Sequence, residues 1–424
     1  MDDDELIAKQ IKLEDQIFNM SEDNIDDIID FIKSNPQFHK ENIRLIVENS
    51  SRYRFVDRSL YGKFSDIISG EIRCFSDNNS LSKIFLEDNL SELTSMEGQD
   101  PNNLIDLAAR YGAINCFKYL KVNNCKILNS TLKWSVYGGN LEIIEMLLQE
   151  GHSFVDCIER AIETHRNDIL DYFISIYENQ DFMISDKFCI DHYNTYAMMK
   201  YATVRDIKAC ESAIKITNFA ISNYLLKKNY SLYKNELYDI LARCVYWNYR
   251  FGYKMIIENG FTTKNASIFH YACISQENTE ELVKYLIEKG FPIKSNSKLV
   301  ISGFIQCLIV KKLKEAKVIL NCVKNIKQVH NEYEFPIITY LTKSIDDIEL
   351  LQLMIAKGAD VNETQLGAFP LVIADQSGKY QVVKILLENG ANPKARYMGK
   401  SIDQITYNYE TKKLIEKYIN ESSE

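Results

Sequence analysis

Gly399-Lys400-Ser401 is the first combination in this 424-residue chain that suggests chemistry. A glycine, a lysine and a hydroxyl in that order end the loop in which backbone N–H groups and a lysine hold nucleotide phosphates. That loop also needs a glycine five positions before Gly399. The position holds Lys394, and no apolar strand precedes it. Gly367 stands 32 residues before Gly399, so the two read as one loop glycine repeated, with Ser401 in the slot of a repeated threonine. His270 and Cys273 lie one helical turn apart and form half of a zinc ligand set. No second half has ligand spacing, and both residues fall at recurring positions, which points to structural roles. Serine, cysteine or paired-carboxylate catalysis needs partners that no motif singles out. The expectation is a non-catalytic chain with no cofactor and no metal.

The elements around these residues are helical. With 6 Pro and 16 Gly there are few turns to reverse short strands, and apolar residues recur at three and four. Self-similarity then fixes the architecture. Leu107-Ala108-Ala109, Gly112 and the helix Cys116-Phe117-Lys118-Tyr119-Leu120 recur as Trp134-Ser135-Val136, Gly139 and Ile143-Ile144-Glu145-Met146-Leu147. They recur again as Arg160-Ala161-Ile162, His165 and Ile169-Leu170-Asp171-Tyr172-Phe173. Ala108, Ser135 and Ala161 are small enough for neighbouring first helices to approach closely, and the apolar ridge of each second helix needs an adjacent unit to cover it. Gly112 and Gly139 supply the positive φ of a tight inter-helix turn, a conformation that is costly for His165 in the same slot.

The C-terminal half carries the theme at a longer period. Gly260, Gly290, Gly358 and Gly390 each close a helix such as Leu282 to Lys289 or Val382 to Asn389. The double-length gap between Gly290 and Gly358 calls for one more copy, whose second helix is Lys314 to Leu320. Ser267-Ile268-Phe269-His270-Tyr271-Ala272 and Phe369-Pro370-Leu371-Val372-Ile373-Ala374 resemble the Thr-Pro-Leu-His-x-Ala opening of the ankyrin family. Gly358-Ala359-Asp360-Val361-Asn362 and Gly390-Ala391-Asn392-Pro393 resemble its loop. The resemblance implies an all-α fold, an ankyrin-repeat α-solenoid of stacked helix-turn-helix units with an N-terminal helical cap. The stretch from about 103 to 175 is similar to large protist ankyrin proteins that carry an embedded domain of unknown function there.

The expected organisation is a helical cap region at 1–100 and a repeat array at 101–424. The clearest units are 103–127, 128–154, 155–180, 264–293, 329–362 and 363–396, with a C-terminal cap at 397–424. Further units between 180 and 265 are inferred from the helices at 220–226 and 253–257. Leu81 to Asp88 reads as a worn first unit, and Lys412 to Ile419 as the closing helix.

A formal net charge of -9 repels nucleic acid on average. The acidic start, Met1-Asp2-Asp3-Asp4-Glu5, is unlike a secretory signal, and no apolar run approaches the roughly 20 residues a bilayer demands. An intracellular, cytoplasmic protein with no membrane span is expected. The ten cysteines (74, 116, 125, 157, 189, 210, 244, 273, 307, 322) never form Cys-x-x-Cys and are expected to be reduced core residues.

What remains is a surface. Arg110, Tyr111, Trp134, Tyr137, Arg160 and Tyr271 occupy variable slots on the first helix or its exit, the side from which ankyrin proteins grip partners. Aromatic and arginine residues make good anchors. The expected function is a protein-protein interaction scaffold. The alternative is an adaptor whose N-terminal helices recruit a second machine, such as a ubiquitin ligase, while the repeats choose the target.

Overall fold

The computed structural model describes residues 3–53, 58–65, 67–68, 80–96, 101–265, 267–275, 277–293, 303–326, 337–344, 346–364 and 369–422. Gly367, read above as a repeated loop glycine, and Cys74 lie outside the described residues. The chain divides into two compact units, 1–236 and 237–424.

The first unit opens with α1 (Asp3–Phe18), α2 (Ile25–Lys33), α3 (Lys40–Tyr53) and α4 (Arg58–Gly62). Six helix pairs follow: α5 (Ser80–Leu86) with α6 (Leu90–Thr94), α7 (Pro101–Tyr111) with α8 (Ile114–Val122), and α9 (Asn129–Gly138) with α10 (Leu141–Gln149). Then come α11 (Ile158–Glu163) with α12 (Asn167–Ile176), α13 (Asp186–Asp191) with α14 (Thr195–Tyr201), and α15 (Ala209–Lys215) with α16 (Phe219–Asn229). The second unit has five pairs: α17 (Leu237–Tyr246) with α18 (Arg250–Glu258), α19 (Ile268–Ile274) with α20 (Glu280–Glu288), and α21 (Gly303–Ile309) with α22 (Leu313–Cys322). They end with α23 (Ile337–Ser344) with α24 (Ile348–Ala356), and α25 (Pro370–Gln376) with α26 (Tyr380–Glu388). The hairpin β1 (Arg396–Tyr397) and β2 (Lys400–Ser401), α27 (Ile402–Ile405) and α28 (Tyr409–Glu421) complete it. The helices expected at 220–226, 253–257, 314–320 and 412–419 lie in α16, α18, α22 and α28.

Helices this short are marginal alone, so the turn between them must be fixed by something other than propensity. One left-handed residue does so in seven of these turns: Gly112 at φ 69° and Gly139 at 75°, and without glycine His165 at 53°, Tyr193 at 58°, Thr217 at 55°, Asn248 at 48° and Lys311 at 60°. The next N–H reaches back over the helix end: Ala113 N to Ala108 O at 2.9 Å, Arg166 N to Ala161 O at 2.9 Å, Asn218 N to Ala213 O at 2.9 Å, Lys379 N to Ala374 O at 3.0 Å. This closes the orphan carbonyls of the first helix.

First helices pack on first helices, as α7 on α9 and α19 on α21, and second helices on second, as α20 on α22 and α24 on α26. The small-residue slot at the contact is fully buried at Ala108, Ser135, Ala161, Ala213, Ala272 and Ala374. Cys189, Cys244 and Cys307 take the same slot and are also fully buried, which accounts for three of the ten cysteines as small residues at this contact. On the second-helix side Ile143, Ile144 and Leu147, then Ile169, Leu170 and Phe173, form the expected ridge, each 0% exposed.

One expectation is overturned. Cys273 and Cys307 form a disulfide, with Cα atoms 5.2 Å apart. The two residues are 34 positions apart, one repeat period, so equivalent regions of α19 and α21 face each other and bring the two sulfurs together. Of the seven other described cysteines, six are buried. Gly399 lies in the turn of the β1-β2 hairpin, where Lys400 pairs with Tyr397, so Gly399-Lys400-Ser401 is hairpin and not a phosphate loop.

Candidate protein-interaction face

Arg110 lies in the last turn of α7, and its guanidinium carbon sits 5.0 Å from the Trp134 ring centre, 5.5 Å from Tyr137 and 5.7 Å from Tyr111. Trp134 and Tyr137 project from the same face of α9 and meet edge to face at 5.5 Å. On the other side Tyr111 stacks on Phe85 of α5 at 6.5 Å. Four expected contact residues are thus one cluster, because α7 packs so closely on α9 that their last turns share a surface. Arginine over aromatic faces gains electrostatic attraction at each ring, of the order of 0.5–2 kcal/mol depending on desolvation. Arg110, Tyr111 and Trp134 are half-buried, while Tyr137 is 5% exposed.

Tyr137 is covered because α3 ends on it. Its hydroxyl donates to the Arg52 carbonyl, and its ring meets Tyr53 edge to face at 5.7 Å. Burial raises the Tyr53 hydroxyl above its ordinary pKa, Glu163 adds to this, and Arg160 and Arg52 oppose it. Arg160, in the slot equivalent to Trp134 one unit later, pairs with Glu163 at 2.7 Å. Tyr271 holds that slot in the second unit, half-buried and edge to face with His270 at 5.7 Å. Five of the six residues therefore gather in the first unit, and Tyr271 belongs to the other.

Sequence reasoning missed a second set, along the edge formed by the inter-helix turns. Glu14 of α1 is 0% exposed. Its carboxyl accepts from Gln10 Nε2 at 2.8 Å and from the Thr195 backbone N–H at 2.7 Å, and it meets the Thr195 hydroxyl at 2.7 Å. Burial, opposed by these hydrogen bonds, pushes it up to about 8. Beside it Asp15 meets His165 Nε2 at 2.8 Å and accepts from Asn167 Nδ2 at 3.1 Å, while Phe18 stacks on the His165 ring at 4.4 Å. Asn42 of α3 donates to the Ile216 carbonyl at 2.8 Å. Helices α1 and α3 thus lie along the turns of successive pairs from α9 to α16. The signal was present: Ile7, Gln10, Glu14 and Ile17 recur at three and four, which puts two polar residues inside an apolar stripe.

Among the described residues no group of three or more His, Cys, Asp or Glu is placed to hold a metal ion, and no helix is long and apolar enough to cross a membrane.

Two family models match. The ankyrin repeat matches residues 366–397, which contain α25, α26 and the loop through Pro393. A domain of unknown function, DUF3447, matches residues 122–201, later in the chain than the 103–175 expected for an embedded domain. It spans α9 to α14, three helix pairs built like the rest, and these pairs hold Tyr137, His165 and Thr195, on which α1 and α3 rest. No curated protein matches the chain. The chain thus carries an ankyrin repeat near its C-terminal end and a domain of unknown function within its first unit.

Proposed function

We propose that this protein is a non-catalytic interaction scaffold that grips a protein partner with the first-helix face of α7, α9 and α11. An ankyrin repeat points to protein-protein interaction in general; the particular face is our reading. The observation that carries it is the half-buried cluster of Arg110, Tyr111 and Trp134. Interface hot spots are enriched in Trp, Tyr and Arg. Here the arginine is already positioned by rings, so a partner meets a preordered anchor and little side-chain freedom is lost on binding. Arg160 extends the same face by one unit, and Tyr271 is the matching anchor of the second unit.

The scaffold reading is favoured over an adaptor with a separately acting N-terminal arm, because Glu14, Asp15 and Asn42 tie α1 and α3 to the repeats by buried hydrogen bonds. Cross-linking and mass spectrometry of complexes captured from native cells tests it. The expected result is a partner cross-linked near α7 to α11, retained by the wild type and lost by a W134A/R110A variant that keeps its helical circular dichroism. Partners that bind the double variant equally well overturn the assignment of this face.

A further inference from the structure

We propose that α1 to α4 form a proton-controlled cover on the first unit, docked over Tyr137 at acidic pH and released as pH rises. The proposal rests on the reading of the Arg110 cluster as the partner-binding face, which the cover regulates.

The four helices have a core of their own. Leu13, Ile17, Ile28, Ile46 and Phe64 belong to one apolar cluster shared by α1 to α4, and from the repeats Tyr193 packs against it. A body with its own core can lift and return as a piece, as cooperative substructures do. Hydrogen bonds tie it to the repeats: Glu14 to Thr195, Asp15 to His165 and Asn167, and Asn42 to the Ile216 carbonyl. Along the same edge α3 lays the Arg52 carbonyl and the Tyr53 ring on Tyr137. The docked body therefore covers one ring of the Arg110 cluster, and a lifted body uncovers it.

Glu14 couples this junction to protons. Its carboxyl is 0% exposed, and its hydrogen-bond partners Gln10 and Thr195 are neutral. A carboxylate that loses water needs a cation beside it, and among the described residues no ion pair forms with Glu14. The cations on the elements packed against α1 are engaged elsewhere: Arg44 of α3 with Glu41 and Glu48, Lys227 of α16 with Asp3, and Lys200 of α14 with Asp171. On α1 itself Lys9 pairs with Glu5, and Lys12 lies over the Phe31 ring of α2. The remaining charges of α2 are Asp26, Asp27, Asp30 and the terminal Lys33. Among charged groups Asp15 acts most strongly on Glu14, and it opposes ionisation. Burial lifts the carboxyl from 4.5 to about 8.

The docked value lies above the undocked one. Docking is therefore strongest below about pH 4.5 and weakens as pH rises through 8, by at most about tenfold per pH unit for one proton. Protonation of His165 turns its contact with Asp15 into an ion pair, which acts in the same direction.

The test is hydrogen-exchange mass spectrometry of the full chain from pH 5 to 8, with each rate divided by the intrinsic rate at that pH. Protection of α1 and α3 is expected to fall by roughly tenfold or more between pH 5 and 7 while that of α8 and α10 holds. Trp134, which meets Tyr137 at 5.5 Å, is expected to change its emission over the same range in a W247F background. E14Q is expected to lose most of this pH dependence. Should E14Q not fold, N42A cuts an uncharged bond across the same junction, so it lowers protection by one factor at every pH and leaves the slope. Equal loss in every helix of the first unit, unchanged Trp134 emission, an E14Q profile parallel to wild type, or a slope abolished by N42A overturns the proposal. No partner enters this measurement, so its outcome is separate from the cross-linking of the W134A/R110A variant.

Discussion

Glu14 and Thr195 stand 181 residues apart in the chain and meet at 2.7 Å, carboxyl oxygen to backbone N–H, in a site closed to water. A carboxyl that is buried there at neutral pH holds its proton, because burial lifts it from 4.5 to about 8. The folded state therefore binds more protons than the unfolded one between those values. The stabilisation is fully present below about pH 4.5 and is lost as pH rises toward 8, with a slope of at most ~1.4 kcal/mol per pH unit. Replacing Glu14 by Gln keeps the shape and removes the ionisation, at the cost of one of the two N–H bonds that the carboxyl oxygens accept, since an amide NH2 only donates. E14Q is expected to flatten the pH dependence of the first unit and to be the more stable form at pH 9. Urea unfolding followed by Trp134 fluorescence in a W247F background measures this; wild-type and E14Q profiles that run parallel from pH 5 to 9 would refute it.

His165 shows how far the repeat could be read and where reading stopped. Its slot was legible, because Gly112 and Gly139 precede it at the repeat spacing, and so was the cost of a left-handed histidine. The compensation was not. Phe18 and Asp15, which hold the imidazole, are about 150 residues away in helices that match no repeat. The pairs between 180 and 260 were faint for the same reason: Tyr193, Thr217 and Asn248 take the turn in place of glycine, so the strongest mark of a unit boundary is missing. The cluster at Arg110 was legible as residue types at variable slots. The cover that α3 lays over Tyr137 was not, since nothing in the spacing says on which edge an extra helix rests.

Replacing His165 by Gly sets two effects against each other. Glycine relieves about 1 kcal/mol of left-handed strain. It removes a stacked ring contact and a hydrogen bond to Asp15, each worth about 0.5–1.5 kcal/mol, and leaves a void where a residue 3% exposed had been. The losses exceed the gain. H165G is expected to destabilise the first unit by about 1–3 kcal/mol, and a double-mutant cycle with D15A to show positive coupling. A variant more stable than wild type in the same urea assay contradicts this account.

The Cys273–Cys307 bond closes a loop of one repeat between α19 and α21. By chain-entropy arguments a loop of that length is worth roughly 3–4 kcal/mol in the second unit. C307A puts the residue found at Ala374 into the slot and removes the bond without overfilling it. Reduction of the wild type and the C307A change are each expected to lower the denaturation midpoint of the second unit, and reduction to leave C307A unchanged. Alkylation mapping gives the direct check: Cys273 and Cys307 should react in unfolded protein only after reduction. Equal labelling without reductant refutes the bond.

Gly138 and Gly151 separate two reasons for a glycine. A Cβ on Gly138 would stand 2.1 Å from the Ala109 carbonyl oxygen and 3.0 Å from that of Arg110, both backbone atoms of the neighbouring helix. Gly151 has open space around it and only a left-handed φ of 87°. Alanine at 151 therefore strains one residue, at about 1 kcal/mol, and moves nothing else. Alanine at 138 must push α7 from α9, and these helices carry the Arg110 cluster. G138A is expected to cost about 1–3 kcal/mol and to shift Trp134 emission to the red as the guanidinium and the rings separate. G151A should lower stability with the emission unchanged. An unshifted G138A spectrum would mean that the last turns of α7 and α9 do not hold the cluster together.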